Sequence, residues 1–465
     1  MRTRREFLSE TFSTVTGFGV SAAFGSLHSR LAFGEKGSEE SSLFPAKDET
    51  TGLNLIRLPE GFRYVTHGWT GDRMTDGTRT PKDHDGMGVV AESEGVVTLV
   101  RNHEIGRDGR ALKIENGQAY DPMARGGCTS LRFDTKEGKW LDSRVAISGT
   151  SRNCAGGVTP WGTWLTAEET VMGAGATDHY DNNVKRRFEQ DHGWVFEVDP
   201  AGVKKPVPLK GLGRFVHEAV AFDRETGFVY QTEDRTTAGF YRFKPTEKTN
   251  LAAGGELQIA EVIGHPDLRG HVQSMASFDV KWHTIPNPEL ASTPGLEPPD
   301  ELGVFKQGKK LGGTTFARLE GCWAGDGLIW FDATSGGGAQ AGQIWQYNPK
   351  TNKLKMIFES PGKEVLNMPD NLCANPHGGI ALCEDGDYGE NNLSQRIHLL
   401  SQDGNLTPLV VNDVWLLGTK GFFGNYRSKE WAGVTFSPDG KWLFANIQTP
   451  GITFAITGPW EDIMS

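Results

Sequence analysis

The chain has 465 residues, with 48 Lys and Arg against 59 Asp and Glu and a net charge of −11. That acidic balance, without basic runs, argues against nucleic acid as a partner, and the lack of any apolar stretch of ~18 residues excludes a membrane span in the mature protein. Gly at 60 residues, with 13 Trp and 25 Phe, points to many short strands joined by tight turns, because Gly supplies the positive φ that such turns need.

The first element is an address. Residues 3–8 read Thr-Arg-Arg-Glu-Phe-Leu, and an uncharged, mildly apolar stretch rich in Gly, Ser and Thr follows from Thr11 to Leu27. A twin-arginine pair ahead of such a stretch reads as a Tat export signal, here over residues 1–34. The expected partner is then the Tat translocase and the expected location periplasmic or secreted, with the mature chain starting between Ala32 and Leu43. Residues 35–465 form one domain. Of its five cysteines, Cys128, Cys154, Cys322, Cys373 and Cys383, at least one stays unpaired in an exported protein, as a core thiol or as a metal ligand.

A pattern then recurs: a polar residue, a short strand, a turn with Gly, and a second strand ending in a polar cluster. Its copies run from His84-Asp85-Gly86 to Glu104, Asn153-Cys154-Ala155 to Glu169, His217-Glu218-Ala219 to Asp234, Leu319-Glu320-Gly321 to Asp332, Pro369-Asp370-Asn371 to Asp385, and Trp431-Ala432-Gly433 to Gln448. Asp223 to Gly227 and Ser437-Pro438-Asp439-Gly440 are hairpin turns within it. Long helical patterns are absent. The repeat predicts an all-β fold, a six-bladed β-propeller with inserted loops, of which the longest is a Pro- and Gly-rich insertion at 246–312 able to cover one face.

In a propeller the start of each innermost strand and the end of the next sit at the same rim. That places two polar sets around one mouth. The first is Asp85, Cys154, Glu218, Glu320 and Asp370 with Asn371. The second is Asn102, His103, Glu104, Glu168, Glu169, Glu233, Asp234, Asp332, Glu384 and Asp385. Crowded carboxylates raise one another's pKa or repel, and cations resolve the conflict. Hard oxygen donors suit calcium or magnesium. One thiolate adds an affinity for a transition metal, with iron, manganese and zinc all allowed.

The stretches Asn153 to Glu169, Gly213 to Ala219, Phe316-Ala317-Arg318-Leu319-Glu320-Gly321, Pro369-Asp370-Asn371-Leu372 and Asn446 to Gly451 together resemble the PhoX-type alkaline phosphatases. The resemblance implies a propeller carrying an iron pair with calcium ions and acting on small-molecule phosphate monoesters. Carried over by motif, it implies Cys154, Glu218 and Glu320 as catalytic metal-site residues and Arg318 as a phosphate clamp. It extends to Glu169, Asp370, Asn371 and Glu384, and the rim sets add Glu104 and Asp85 as metal ligands. Arg318 and Glu320, two apart on one strand, are expected to face the same side. The rival readings are a calcium-dependent lactonase- or phytase-like propeller, in which Cys154 binds no metal, and a non-catalytic binding propeller stabilised by calcium.

Overall fold

Each repeat copy folds as an antiparallel strand pair joined by a short turn. The pairs are His84–Ser93 with Val96–His103, Asn153–Val158 with Trp164–Glu168, His217–Phe222 with Val229–Glu233, Leu319–Gly325 with Leu328–Ala333, Pro369–Ala374 with Ile380–Glu384, and Trp431–Phe436 with Trp442–Ile447. The turns close through their own side chains. Asp223 accepts from Glu225 N at 3.0 Å and from the Thr226 hydroxyl at 2.5 Å, and Gly227 takes φ 76°. The computed structural model describes residues 42–106, 111–114, 118–176, 187–297, 299–386 and 394–463, so the signal expected over residues 1–34 lies outside the described residues.

Further strands add outward from each pair, and the architecture is all-β and propeller-like. Among the described residues the only α-helices are Gly303–Lys310 and Trp460–Ile463, and no helix is long and apolar enough to cross a membrane. The first strands touch one another in chain order, and Trp431–Phe436 touches His84–Ser93 to complete a ring. The sheet of the last copy is finished by the early strand Arg63–His67, which pairs with Ile452–Thr457. Aromatic side chains fill the wedges between neighbouring sheets. Phe240 stacks on Phe331 at 4.2 Å between the third and fourth copies, and Phe133 packs edge-on against Trp442 at 4.8 Å between the first and last.

The 246–312 stretch is more regular than an inserted loop. It contains the strands Gly255–Val262 and Ser277–Thr284 and the helix Gly303–Lys310. Ser277–Thr284 pairs on one side with Gly255–Val262 and on the other with Lys353–Glu359, which merges the third and fourth copies into one nine-stranded sheet.

One local feature recurs in every copy. The ladder slips by a residue near the start of the first strand: between His84 and Met87, Asn153 and Gly156, His217 and Val220, Leu319 and Cys322, Pro369 and Leu372, and Ala432 and Thr435. Such a bulge leaves a residue unpaired and re-aims its side chain. Within the bulges stand Gly86, Ala155, Ala219, Gly321, Asn371 and Gly433, and all of them border a narrow axial void. At the glycines the backbones approach too closely for a side chain. A Cβ at Gly86 would lie 2.5 Å from the Cα of Ala155, and one at Gly321 would lie 2.3 Å from the Asp370 carbonyl oxygen.

Gly321→Ala therefore forces two first strands apart and is expected to cost ~1–3 kcal/mol of stability. Urea melts at fixed metal content read this directly; an unchanged midpoint would mean the axis is not tightly packed.

Candidate active site

The bulges turn Asp85, Cys154, Glu218, Glu320 and Asp370 toward the axis at one end of the ring. The ends of the second strands supply the rest, and register decides which residue of each terminal pair faces the mouth. His103, Glu168, Glu233 and Glu384 pair across to the first strand, so their side chains turn back into their own sheets. The residues that follow, Glu104, Glu169, Asp234 and Asp385, face the opening, since successive side chains alternate. Each of these is anchored by its own backbone N–H, which donates to the carbonyl of Asp83, Arg152, Val216 and Met368 respectively; Thr334 bonds Arg318 and Gln448 bonds Glu430 in the same way.

Those carbonyls define a third column just before each first strand. Asp83, Arg152, Arg318 and Met368 hold φ of 51°, 49°, 46° and 52° there, a left-handed conformation uncommon outside Gly. The kink swings Arg152 and Arg318 into the mouth, and Glu430, at the same position in the last copy, lies beside Asp385, Asp85 and Asp370. Arg318 Nε and Nη2 donate to the two Asp234 oxygens at 2.9 and 3.1 Å, and the guanidinium also pairs with Glu320. Arg152 Nη2 bridges Glu169 at 2.7 Å and Glu104 at 3.0 Å. Gln448 Nε2 donates to Glu104 at 3.0 Å.

The carboxylates outnumber these cations. One oxygen each of Glu320, Asp370 and Asp385 lies within 4.8 Å of the others. Burial, then the charge of Asp385, pushes the Asp370 carboxyl up to about 7. Burial and the neighbouring acids likewise raise Asp85, Glu169, Glu218 and Glu430 well above the usual carboxylate range. The Cys154 thiol, 3.5 Å from Asp85, is pushed well up by burial and then by Asp85, Glu218, Glu169 and Glu104. Glu218 Oε1 is buried with no hydrogen-bond partner among the described residues. Arg318 is held firmly charged by Glu320, and by Asp234 beyond it.

The structure thus brings Asp85, Glu104, Cys154, Glu169, Glu218, Arg318, Glu320 and Asp370 to one mouth. Four predicted rim residues behave differently. Glu384 does not face the opening: its oxygens accept from Asn367 N, Arg396 N, the Arg396 guanidinium and His398 at 2.8–3.0 Å. Against the upward push of burial, Arg396 and His398 hold it down at about 2. Glu168 and Glu233 are likewise consumed inside their sheets, by Ser151 N, His192, Gly193 N and Trp194 N, and by Gly239 N and Tyr241. Asn371 is at the mouth as a brace, donating to Asp370 at 2.6 Å and accepting from Gly433 N at 2.7 Å.

Arg318 reaches Glu320 for a different reason from the one the sequence suggested. It precedes the strand, and its positive φ rather than strand alternation directs it. Sequence reasoning missed Arg152 and Glu430, although both stand in the column of Arg318 once the copies are aligned on their bulges. The remaining cysteines, Cys128, Cys322, Cys373 and Cys383, are buried and free.

Beside the cluster opens a cavity of about 400 Å³ lined by Asp234, Arg235, Thr236, Thr237, Leu302 and Arg318. A guanidinium, hydroxyls and a carboxylate cluster beside an open cavity suit an oxyanion held against cations.

The family model of alkaline phosphatase PhoX matches residues 41–146 and 142–451. Among solved structures the chain is similar to Pseudomonas fluorescens PhoX in complex with vanadate, a transition state analogue, at 19% identity and a TM-score of 0.64, over 90% of this chain and 97% of that one. It also aligns with the holo pyranose dehydrogenase PQQ domain from Coprinopsis cinerea at 12% identity, over 89% of this chain and 100% of that one, but the TM-score of 0.35 carries no argument. No curated protein matches the sequence. Matched by the family model over most of its length, the chain belongs to the PhoX alkaline phosphatase family and hydrolyses phosphate monoesters.

Proposed function

We propose that hydrolysis takes place at the acidic mouth, on an iron pair with calcium ions, in a six-bladed propeller exported through the Tat pathway to the periplasm or beyond. The closed ring of first strands supports counting the nine-stranded sheet as two blades. The observation that carries the metal reading is the uncompensated charge: an orphaned Glu218 oxygen and a thiol facing several carboxylates, all driven toward protonation. That donor set fits cations. Cys154, Glu218 and Glu320 would hold iron, and Asp85, Glu104, Glu169, Asp370 and Asp385 would hold calcium between hard oxygens. Cations bound there supply charge neutralisation and a water of lowered pKa.

The chain's own residues do the rest. Arg318, fixed by Asp234 and Glu320, presents guanidinium N–H groups at the rim for the non-bridging phosphate oxygens. Arg152 holds Glu104 and Glu169 together. The adjoining cavity accepts the alcohol, and Leu302 contributes an apolar wall to it. Phosphoryl transfer asks mainly for such positioning and for opposing charge.

Removal of cations exposes the repulsion. In chelator-treated protein Asp370 titrates at about 7 in the fold against ~4 unfolded, so its protonated form is the stabilised one. Stability should be highest at the acidic end of the range from pH ~4 to ~7, fall as pH rises through it, and recover when cations are restored. Urea midpoints against pH that stay flat without cations would contradict this. Cys154→Ser should lose bound iron and p-nitrophenyl phosphate turnover together, as read by elemental analysis and absorbance; full activity with full metal content would end the thiolate assignment. Replacing Arg4 and Arg5 with Lys should leave the protein in the cytoplasm, and unaltered export on cell fractionation would refute the Tat reading.

A further inference from the structure

The cavity beside the cluster has a second guanidinium whose partner comes from far along the chain. Arg235 follows Asp234 directly, and Arg318 N donates to its carbonyl at 2.8 Å, which sets the two arginines side by side on the cavity wall. Arg318 is committed to Asp234 and Glu320. Arg235 instead reaches the 246–312 stretch, where Nη2 donates to Asp300 O at 3.3 Å and pairs with Glu301. Glu301 is firmly presented. It holds φ 57°, and its neighbour Asp300 accepts from Thr293 N at 2.8 Å, Leu302 N at 3.2 Å and Lys306 Nζ at 2.6 Å.

The Arg235–Glu301 pair is itself poorly protected, with side chains 32% and 29% exposed. Half-hydrated pairs of this kind are weak and exchange partners readily. A carboxylate or phosphate entering the cavity offers Arg235 the same planar, bidentate match that Glu301 offers.

We propose that Arg235 is a specificity-determining residue that receives an anionic group on the alcohol portion of the ester, and that Glu301 is a tethered competitor occupying it when no such group is bound. The substrate class favoured is therefore phosphate monoesters whose alcohol carries a second anion, such as sugar bisphosphates. This rests on the phosphatase site proposed above. Thr236 and Thr237, on the same wall, add hydroxyls suited to a polyol.

The test is the ratio of KM for fructose 1,6-bisphosphate to KM for p-nitrophenyl phosphate, measured on the metal-loaded enzyme. Arg235→Ala should raise the ratio about tenfold by removing a charge-assisted contact. Glu301→Gln should lower it severalfold by freeing Arg235. Opposite shifts support the proposal, and a purely structural ion pair would move both substrates alike and leave the ratio where it was, overturning it. Should Arg235→Ala fail to fold, the direction of the Glu301→Gln shift alone decides. Wild-type protein inert toward both esters would defeat the phosphatase site itself, whereas turnover with an unmoved ratio would defeat only the role of Arg235.

Discussion

The mouth depends on how closely neighbouring first strands approach at the axis. A Cβ at Gly433 would stand 2.5 Å from the Asp85 carbonyl oxygen, and one at Gly321 only 2.3 Å from that of Asp370. At these glycines the strands converge this far because the inner residue has no side chain, and Asn371 at the equivalent position braces Asp370 and Gly433 instead. The same slip in the ladder that admits the small residue leaves its predecessor unpaired and turned along the axis. Asp85, Cys154, Glu218, Glu320 and Asp370 are those predecessors. The packing that closes the ring and the chemistry at its end are consequences of one backbone geometry.

The cost of that geometry is electrostatic. Buried acids a few ångströms apart cannot all ionise, and Arg152 and Arg318 neutralise only part of the array. Each arginine ties together acids from different strand ends: Glu104 with Glu169, and Asp234 with Glu320. The two stand at equivalent left-handed positions in the second and fourth copies. The fold thus places fixed positive charge at intervals around the rim and leaves the remaining demand to cations.

The repeat was legible because five of the six copies carry a polar residue at the bulge and all end their second strand in a polar cluster. That sufficed for the all-β, propeller-like architecture and for most of the rim. Single-residue resolution at strand ends was harder to read. Glu384 and Asp385 look alike in sequence, yet a one-residue difference in register sends the first to Arg396 and His398 and the second to the mouth. Glu168 and Glu169 divide in the same way. Arg152 and Glu430 escaped notice because they precede their strands, where no alternation marks them and only a positive φ at Arg152 gives direction. The merging of the third and fourth sheets depends on Ser277–Thr284, where Phe278, Val280 and Trp282 alternate with Asp279, Lys281 and His283; the strand pattern is there in the sequence, and its Pro- and Gly-rich surroundings conceal it.

The strand Arg63–His67 lies near the front of the described chain, yet it pairs with Ile452–Thr457, more than 380 residues further on. The last copy also delivers Glu430 and Gln448. Without that pairing the acids form an open arc rather than a socket. The complete array of acids therefore exists only once these two distant segments of the described chain have met, which makes closing the ring a single long-range event.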